Sequence, residues 1–75
     1  MADPLLTPMQ LGHVLQSARK AARLSQAQVG TRLGLSQKRV SALELAPGSI
    51  TVDQLLKLCA GLGLELSIGP RAASA

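Results

Sequence analysis

Apolar residues recur at helical spacing in four segments of the chain, and a residue that favours a helix start precedes each segment. The apolar face of the first segment consists of Leu11, either Val14 or Leu15, Ala18 and Ala22. Thr7 precedes it, with Pro8 at the first helical position and Gln10 at the third, which is the pattern of a capping box. This pattern predicts a first helix from about Pro8 to Arg23.

The second segment is short and has the same kind of start. Ser25 and Gln28 form another Ser-x-x-Gln box, and Val29 and Leu33 lie four residues apart on one face. Gly34 follows at the position where helices commonly end in a left-handed residue. We expect the second helix over residues 26–33.

The third and fourth segments lie on either side of a Pro-Gly turn at residues 46–49, which ends the third helix. Ser36 is the expected cap of the third helix, whose apolar face would hold Val40, Leu43 and Leu45. The fourth helix is expected after Thr51. Its broad apolar side consists of Leu55, Leu56, Leu58, Cys59 and Leu62.

The segment 64–68 changes to the two-residue period of a β-strand, because Leu64, Leu66 and Ile68 alternate with polar residues. A lone strand is unstable in water, and no other strand pattern occurs in the chain. One interpretation is that two copies pair this strand across a dimer axis. The alternative is an apolar coil that folds back onto the fourth helix.

These elements predict one all-α domain of four to five helices over residues 8–69, with a small β dimerisation element at 64–68. Residues 1–7 are expected to be a flexible N-terminus and residues 70–75 a disordered tail. A chain of 75 residues has room for no more than one domain, and its core is marginal, so a second subunit is the expected source of extra stability.

Composition narrows the function classes. Eight Lys and Arg against four Asp and Glu give a net charge of +4, which favours an anionic partner such as nucleic acid. The absence of Phe, Tyr and Trp argues against RNA or single-strand binding, which uses aromatic stacking platforms, whereas duplex DNA needs none.

Cys59 and His13 are single residues of their types, so we expect no disulfide, metal site, cofactor or catalytic residue, and the protein is not expected to be an enzyme. The N-terminus has no secretory signal pattern and no segment is long and apolar enough for a membrane span, so we expect a cytoplasmic location without membrane attachment.

The second and third helices have the outline of a helix-turn-helix unit, whose second helix enters the major groove of DNA. Groove-facing positions at the start of that helix must be polar, and the chain has the run Ser36 to Arg39 there. The opposite side must be apolar, and it carries Val40 and Leu43. The pattern therefore favours duplex DNA as the partner.

The stretch LSQAQVGTRLGLSQKRVSALE, residues 24–44, resembles the helix-turn-helix core of the Xre/Cro family of bacterial and phage regulators. The SQ that opens the second helix, the GLSQ turn and the LE that closes the third carry this resemblance, which extends over about residues 8–62. It implies a lambda-repressor-like fold. With LGLELSI after the fourth helix, the chain also resembles HipB-like antitoxins, which implies a homodimer that pairs a C-terminal strand, binds an inverted-repeat operator and binds a HipA-like kinase toxin.

The resemblance also implies roles for individual residues. Those expected to read bases are Gln37, Lys38 and Ser41. Gln26 matches a position that contacts a phosphate. From their places at the start of the third helix and in the following loop, Ser36, Arg39 and the main-chain N–H of Ser49 are also expected to contact phosphates. Arg19 and Glu44 match a pair that ties the first helix to the end of the third, and the dimerisation residues would be Leu64, Leu66 and Ile68.

The chain departs from the family at Gly30, where many relatives have Ala, and a mid-helix glycine is expected to cost about 1 kcal/mol. Three hypotheses remain open at this point. The protein is an autorepressing antitoxin, a stand-alone Xre-type regulator without a toxin, or an interaction module that uses the same scaffold without binding DNA.

Overall fold

The computed structural model describes residues 5–71, and within them the predicted all-α architecture is confirmed. The elements are α1 (Pro8–Ala21), α2 (Gln26–Leu33), α3 (Gln37–Leu45), a short 3₁₀-helix (Pro47–Ser49) and α4 (Val52–Leu62). The expected segments 1–7 and 70–75 include residues 1–4 and 72–75, which lie outside the described residues.

Side-chain caps fix where the helices begin. Complete capping boxes start α1 at Thr7, α2 at Ser25 and α4 at Thr51, and in each the glutamine three residues later accepts a hydrogen bond from the N–H of the cap residue. At the start of α3 the Ser36 hydroxyl accepts from the N–H of Arg39 at 3.0 Å. These caps satisfy N–H groups that have no partner within the helix.

The first helix ends at Ala21, two residues before the predicted end at Arg23. Arg23 has a φ of 59°, the left-handed conformation that terminates a helix. The N–H of Arg23 donates to the Lys20 carbonyl at 2.9 Å, and the N–H of Leu24 donates to the Arg19 carbonyl at 3.1 Å. The sequence did not indicate this helix end, because glycine, and not arginine, is the usual residue in the left-handed conformation.

The buried core contains at least one residue from each of the four α-helices. It consists of Leu15, Val29, Val40, Leu43 and Leu58. Leu15 rather than Val14 is therefore the core residue of α1. The predictions for Leu45 and Leu56 were wrong, since these side chains are 82% and 51% exposed. Each lies two residues from a core leucine, which is roughly 200° around a helix and so on the opposite face.

The strand predicted over residues 64–68 is not formed, and within residues 5–71 the chain after α4 has no regular secondary structure. Leu64 is half-buried against the core, and its N–H donates to the Cys59 carbonyl at 2.8 Å. Leu66 is 36% exposed and Ile68 is 94% exposed. The physical reason is that residues 5–71 of one chain offer this segment no second strand with which to exchange main-chain hydrogen bonds.

Candidate nucleic-acid interface

The turn between α2 and α3 is tight, and Gly30 makes it possible. The N–H of Leu35 donates to the Gly30 carbonyl at 2.8 Å, and Gly34 has the left-handed φ of 70°. A Cβ on Gly30 would overlap the main-chain carbonyl oxygen of Leu35. The helix-propensity cost expected of Gly30 is therefore offset by a steric requirement, because a larger residue here would force the turn to shift.

The start of α3 presents polar side chains to solvent while its other side is buried. Gln37 and Lys38 are exposed, whereas Val40 and Leu43 are 2% and 1% exposed. The buried pair fixes the rotation of α3 about its axis, so its first turn must face outward. This is the arrangement that a recognition helix needs.

Arg19 of α1 and Glu44 of α3 form an ion pair behind this surface. Arg19 Nε donates to Glu44 Oε2 at 2.6 Å and Nη2 donates to Oε1 at 3.2 Å, while Nη1 donates to the Leu24 carbonyl at 2.9 Å. The side chains are only 11% and 6% exposed. The hydrogen bonds that Arg19 donates to Glu44 raise the pKa of Arg19 above its ordinary value, so the guanidinium stays charged.

Gln26 and Gln37 extend this pair toward the surface. Gln26 Nε2 donates to Glu44 Oε1 at 3.1 Å, and Gln26 Oε1 accepts from Gln37 Nε2 at 2.9 Å. Arg19, Gln26 and Gln37 also line one open concavity of about 410 Å³ at the start of α2. Side-chain hydrogen bonds therefore connect the predicted ion pair Arg19–Glu44 to the predicted phosphate contact Gln26, and Gln26 to the predicted base contact Gln37.

Arg39, expected to reach a phosphate, is half-buried, and its Nη2 donates to Gln54 Oε1 at 3.3 Å. The same oxygen accepts from the N–H of Thr51 at 3.2 Å, so the capping box of α4 also holds Arg39. Gln54 is a functional residue that the sequence pattern did not predict. The Thr-x-x-Gln spacing was the available signal, because a capping glutamine turns its oxygen back toward the helix start.

The three predicted serines differ in their surroundings. Ser36 is exposed and caps α3, and Ser41 is half-buried one turn further along the same helix. Ser49 is exposed in the 3₁₀-helix, where its hydroxyl donates to the Ala46 carbonyl at 3.4 Å.

Positive charge is available on this face. In the part of the chain that the structure describes, the ion pairs are Arg19 with Glu44 and Lys57 with Asp53. Glu44 is therefore neutralised by Arg19, and Lys38 is exposed without an acidic partner among residues 5–71. The surface that carries Gln37 and Lys38 can thus meet a polyanion without first breaking an ion pair.

Among the residues that the structure describes, the other reactive side chains do not come together in a site. Cys59 is buried, and this burial raises the pKa of its thiol, which makes it a poor nucleophile. His13 is exposed on α1, beside an apolar groove that Leu64 helps to line. No helix between residues 5 and 71 has the length and apolar character needed to cross a bilayer.

Comparison with solved structures shows that the fold is similar to that of HipB. A complex of a HipB variant with an O2 20-mer has a TM-score of 0.85 at 21% sequence identity, covering 95% of this chain and 99% of that chain. A HipA–HipB–O2–O3 complex has a TM-score of 0.84 at 20% identity, covering 93% and 99%. A HipB–O1–O2 complex has a TM-score of 0.83 at 20% identity, covering 92% and 100%. No curated protein matches the chain.

A family model settles the class of protein. The helix-turn-helix model HTH_3 matches residues 15–68, which is more than half of the chain and includes the whole of α2, the turn and α3. This confirms the predicted class, a DNA-binding regulator rather than an enzyme. The chain belongs to the Xre-type helix-turn-helix family HTH_3, with a HipB-like fold.

Proposed function

We propose that the protein is a dimeric repressor that binds a specific duplex DNA operator, and that it is the antitoxin of a HipBA-like toxin–antitoxin operon. The observation that carries the proposal is the orientation of α3. Its first turn presents Gln37 and Lys38 to solvent, while Val40 and Leu43 anchor the other side in the core. A basic, outward-facing helix start on a helix-turn-helix scaffold fits the major groove.

Base reading is assigned to Gln37, Lys38 and Ser41. An amide pairs with adenine through one donor and one acceptor, and an ammonium group suits guanine O6 and N7. Ser41 lies one turn further along α3, where a short side chain can contact a thymine methyl.

Phosphate contacts set the register of α3 in the groove. Gln26 has a second N–H beyond the one that Glu44 accepts, and it is available to a phosphate. The Ser36 hydroxyl accepts from a main-chain N–H and so keeps its own hydrogen for donation. Arg39 and Ser49 are the other two proposed phosphate contacts. To reach a phosphate, Arg39 would have to break its hydrogen bond to Gln54 or keep it through one N–H while another binds the phosphate.

Two copies would pair the segment 64–68 across a two-fold axis, and this supplies the strand partner that one chain lacks. The exposed positions of Leu66 and Ile68 support this proposal, because pairing would cover them. The two-fold axis would require an inverted-repeat operator, with half-sites about 10 bp apart or a multiple of that distance.

The kinase-toxin partner is proposed because the fold matches HipB over nearly the whole of both chains, including a HipB that is solved together with HipA. A HipA-like kinase would be encoded beside this gene. The second candidate is a stand-alone Xre-type regulator, since sequence identities of 20–21% support the fold and not the partner.

A mobility-shift titration with the gene's own upstream region tests DNA binding, with a scrambled duplex of equal length as competitor. Lys38→Ala should weaken specific binding by about 1–3 kcal/mol and relax the preference at one base pair. Lys57→Ala removes the same charge from the exposed face of α4 and is the matched control. No shift of the unmodified protein at low salt would favour the third hypothesis, a protein-interaction module.

Co-expression with the neighbouring reading frame separates the two regulator hypotheses. Co-purification of a HipA-like kinase through a tag on this protein would support the antitoxin. A neighbouring kinase that does not bind, or the absence of such a gene, would favour the stand-alone regulator.

A further inference from the structure

The side-chain amide of Gln26 has only one possible orientation in this structure. It lies against Glu44 Oε1 at 3.1 Å, and an ionised carboxylate only accepts hydrogen bonds. The NH₂ end of Gln26 must therefore point at Glu44, since the reverse orientation would set two oxygens against each other. Arg19 donates two bonds to the same carboxylate, so Glu44 is held in place.

This orientation passes on to Gln37. The oxygen of Gln26 is turned outward, and Gln37 must meet it with a donor, as it does through Nε2 at 2.9 Å. Gln37 then keeps its Oε1 and one N–H for a DNA base. Adenine presents the complementary pair in the major groove, an N7 acceptor and an N6 donor.

We propose that Glu44 is a positioning residue for base reading: through Gln26 it fixes the amide of Gln37 in the orientation that selects adenine over guanine. The inference rests on the proposed function, because it concerns the same helix and the same duplex. It adds a specificity role to a residue that otherwise only ties α3 to α1.

The opposite orientation of the Gln26 and Gln37 amides would weaken the preference for adenine. If Gln26 were reversed, its NH₂ would face Gln37 and bond to the Gln37 oxygen. That bond would take up one lone pair of the Gln37 oxygen and leave both Gln37 N–H donors free, so guanine, with acceptors at both N7 and O6, would compete better with adenine. Free rotation of the two amides would therefore lower the preference for adenine, even with every contacting residue still present.

The first step of the test is a selection from randomised duplexes with the full-length protein, which gives the preferred site. Gln37→Ala identifies the base pair that Gln37 reads, since its preference is lost in that variant. Kd values are then measured on two duplexes that differ only by A·T or G·C at that pair. In Glu44→Gln, the ratio of the two Kd values should fall about five- to tenfold, within the discrimination that one bidentate contact supplies.

A second variant covers the case in which Glu44→Gln does not fold. Gln26→Met removes the amide that links Glu44 to Gln37 but leaves the Arg19–Glu44 ion pair intact. The same fall in the ratio of the two Kd values is expected. Gln28→Met is the matched control on α2, because Gln28 only caps the helix through Ser25. Its ratio should stay that of the unmodified protein.

The outcomes separate the two proposals. If the unmodified protein selects no site, the proposed function fails. If it selects a site, but Gln37 reads a base other than adenine, or Gln26→Met lowers the affinity for both duplexes equally, the positioning role of Glu44 is overturned while DNA binding stands.

Discussion

Gly30 in α2 lies directly against the main-chain carbonyl of Leu35 in the following turn. We predict that Gly30→Ala destabilises the domain by about 1–3 kcal/mol, because an added methyl group must push the turn away from α2. The sign of the change in stability is informative, since helix propensity alone predicts that Gly30→Ala stabilises the domain by about 1 kcal/mol. Urea unfolding followed by circular dichroism measures the difference.

Gly61→Ala is the control for this prediction. It lies inside α4, and its new Cβ would meet the end of the Leu33 side chain at 3.2 Å, which can move. We expect little change or a small gain in stability. If Gly30→Ala behaved like Gly61→Ala, the close approach of the turn would not restrict residue 30.

The Arg19–Glu44 ion pair supplies the second prediction. Removing one partner strands a charge that is almost fully buried, so Glu44→Ala should lower the free energy of unfolding by about 3–5 kcal/mol. The double variant Arg19→Met with Glu44→Leu replaces both charges and should lose less than the single variant. Thermal melts of the three proteins measure this, and an unchanged melting temperature in Glu44→Ala would contradict a structural role.

Local signals in the sequence located most of the fold. Thr7 and Ser25 were identified as caps because their glutamine partners lie three residues on, and α2 was bounded correctly because Gly34 ends it. The end of α1 was missed because Arg23 is not a residue type that marks a left-handed position. Leu45 was misplaced because apolar character alone does not say on which face of a helix a residue lies.

The residues exposed at the site could be predicted from the sequence, but the hydrogen bonds between them could not. Polar residues at the start of α3 indicated a groove-facing turn, and the family pattern pointed to Arg19 and Glu44. The bonds from Gln26 to Glu44 and from Gln37 to Gln26 depend on how closely α2, α3 and α1 pack. The sequence carries no separate signal for these distances, and for the contact between Arg39 and Gln54 it offers only the cap spacing from Thr51 to Gln54.

Arg23 offers a simple route to a more stable protein. Its left-handed backbone costs a residue with a Cβ roughly 1 kcal/mol, and glycine avoids this cost. Arg23→Gly should therefore raise the free energy of unfolding by about 0.5–1 kcal/mol. Arg23→Ala removes the same charge but keeps the Cβ, so it should give no such gain in urea titrations. Equal gains in both variants would identify charge, not backbone conformation, as the cause.

Cys59 predicts how stability varies at alkaline pH. Burial raises the pKa of its thiol in the folded state, so below the ordinary thiol pKa both states keep the proton and this group adds no pH dependence. Above it, the unfolded chain loses the proton first, and the free energy of unfolding falls as pH rises. Urea titrations from neutral pH to about one unit above pH 8.5 should show this slope. Cys59→Ala should remove it, and an identical slope in both proteins would assign the effect to another group.

The C-terminal segment should separate folding from assembly, because its residues have different surroundings. Leu64 packs against the core, whereas Leu66 and Ile68 are exposed and available to a second copy. Deleting residues 66–75 should therefore keep the melting transition of the domain but lower both dimer affinity and operator affinity, measured by sedimentation velocity and mobility shift. Deleting only residues 70–75 should leave both affinities unchanged. A tight dimer after the longer deletion would place the interface on a helix face instead.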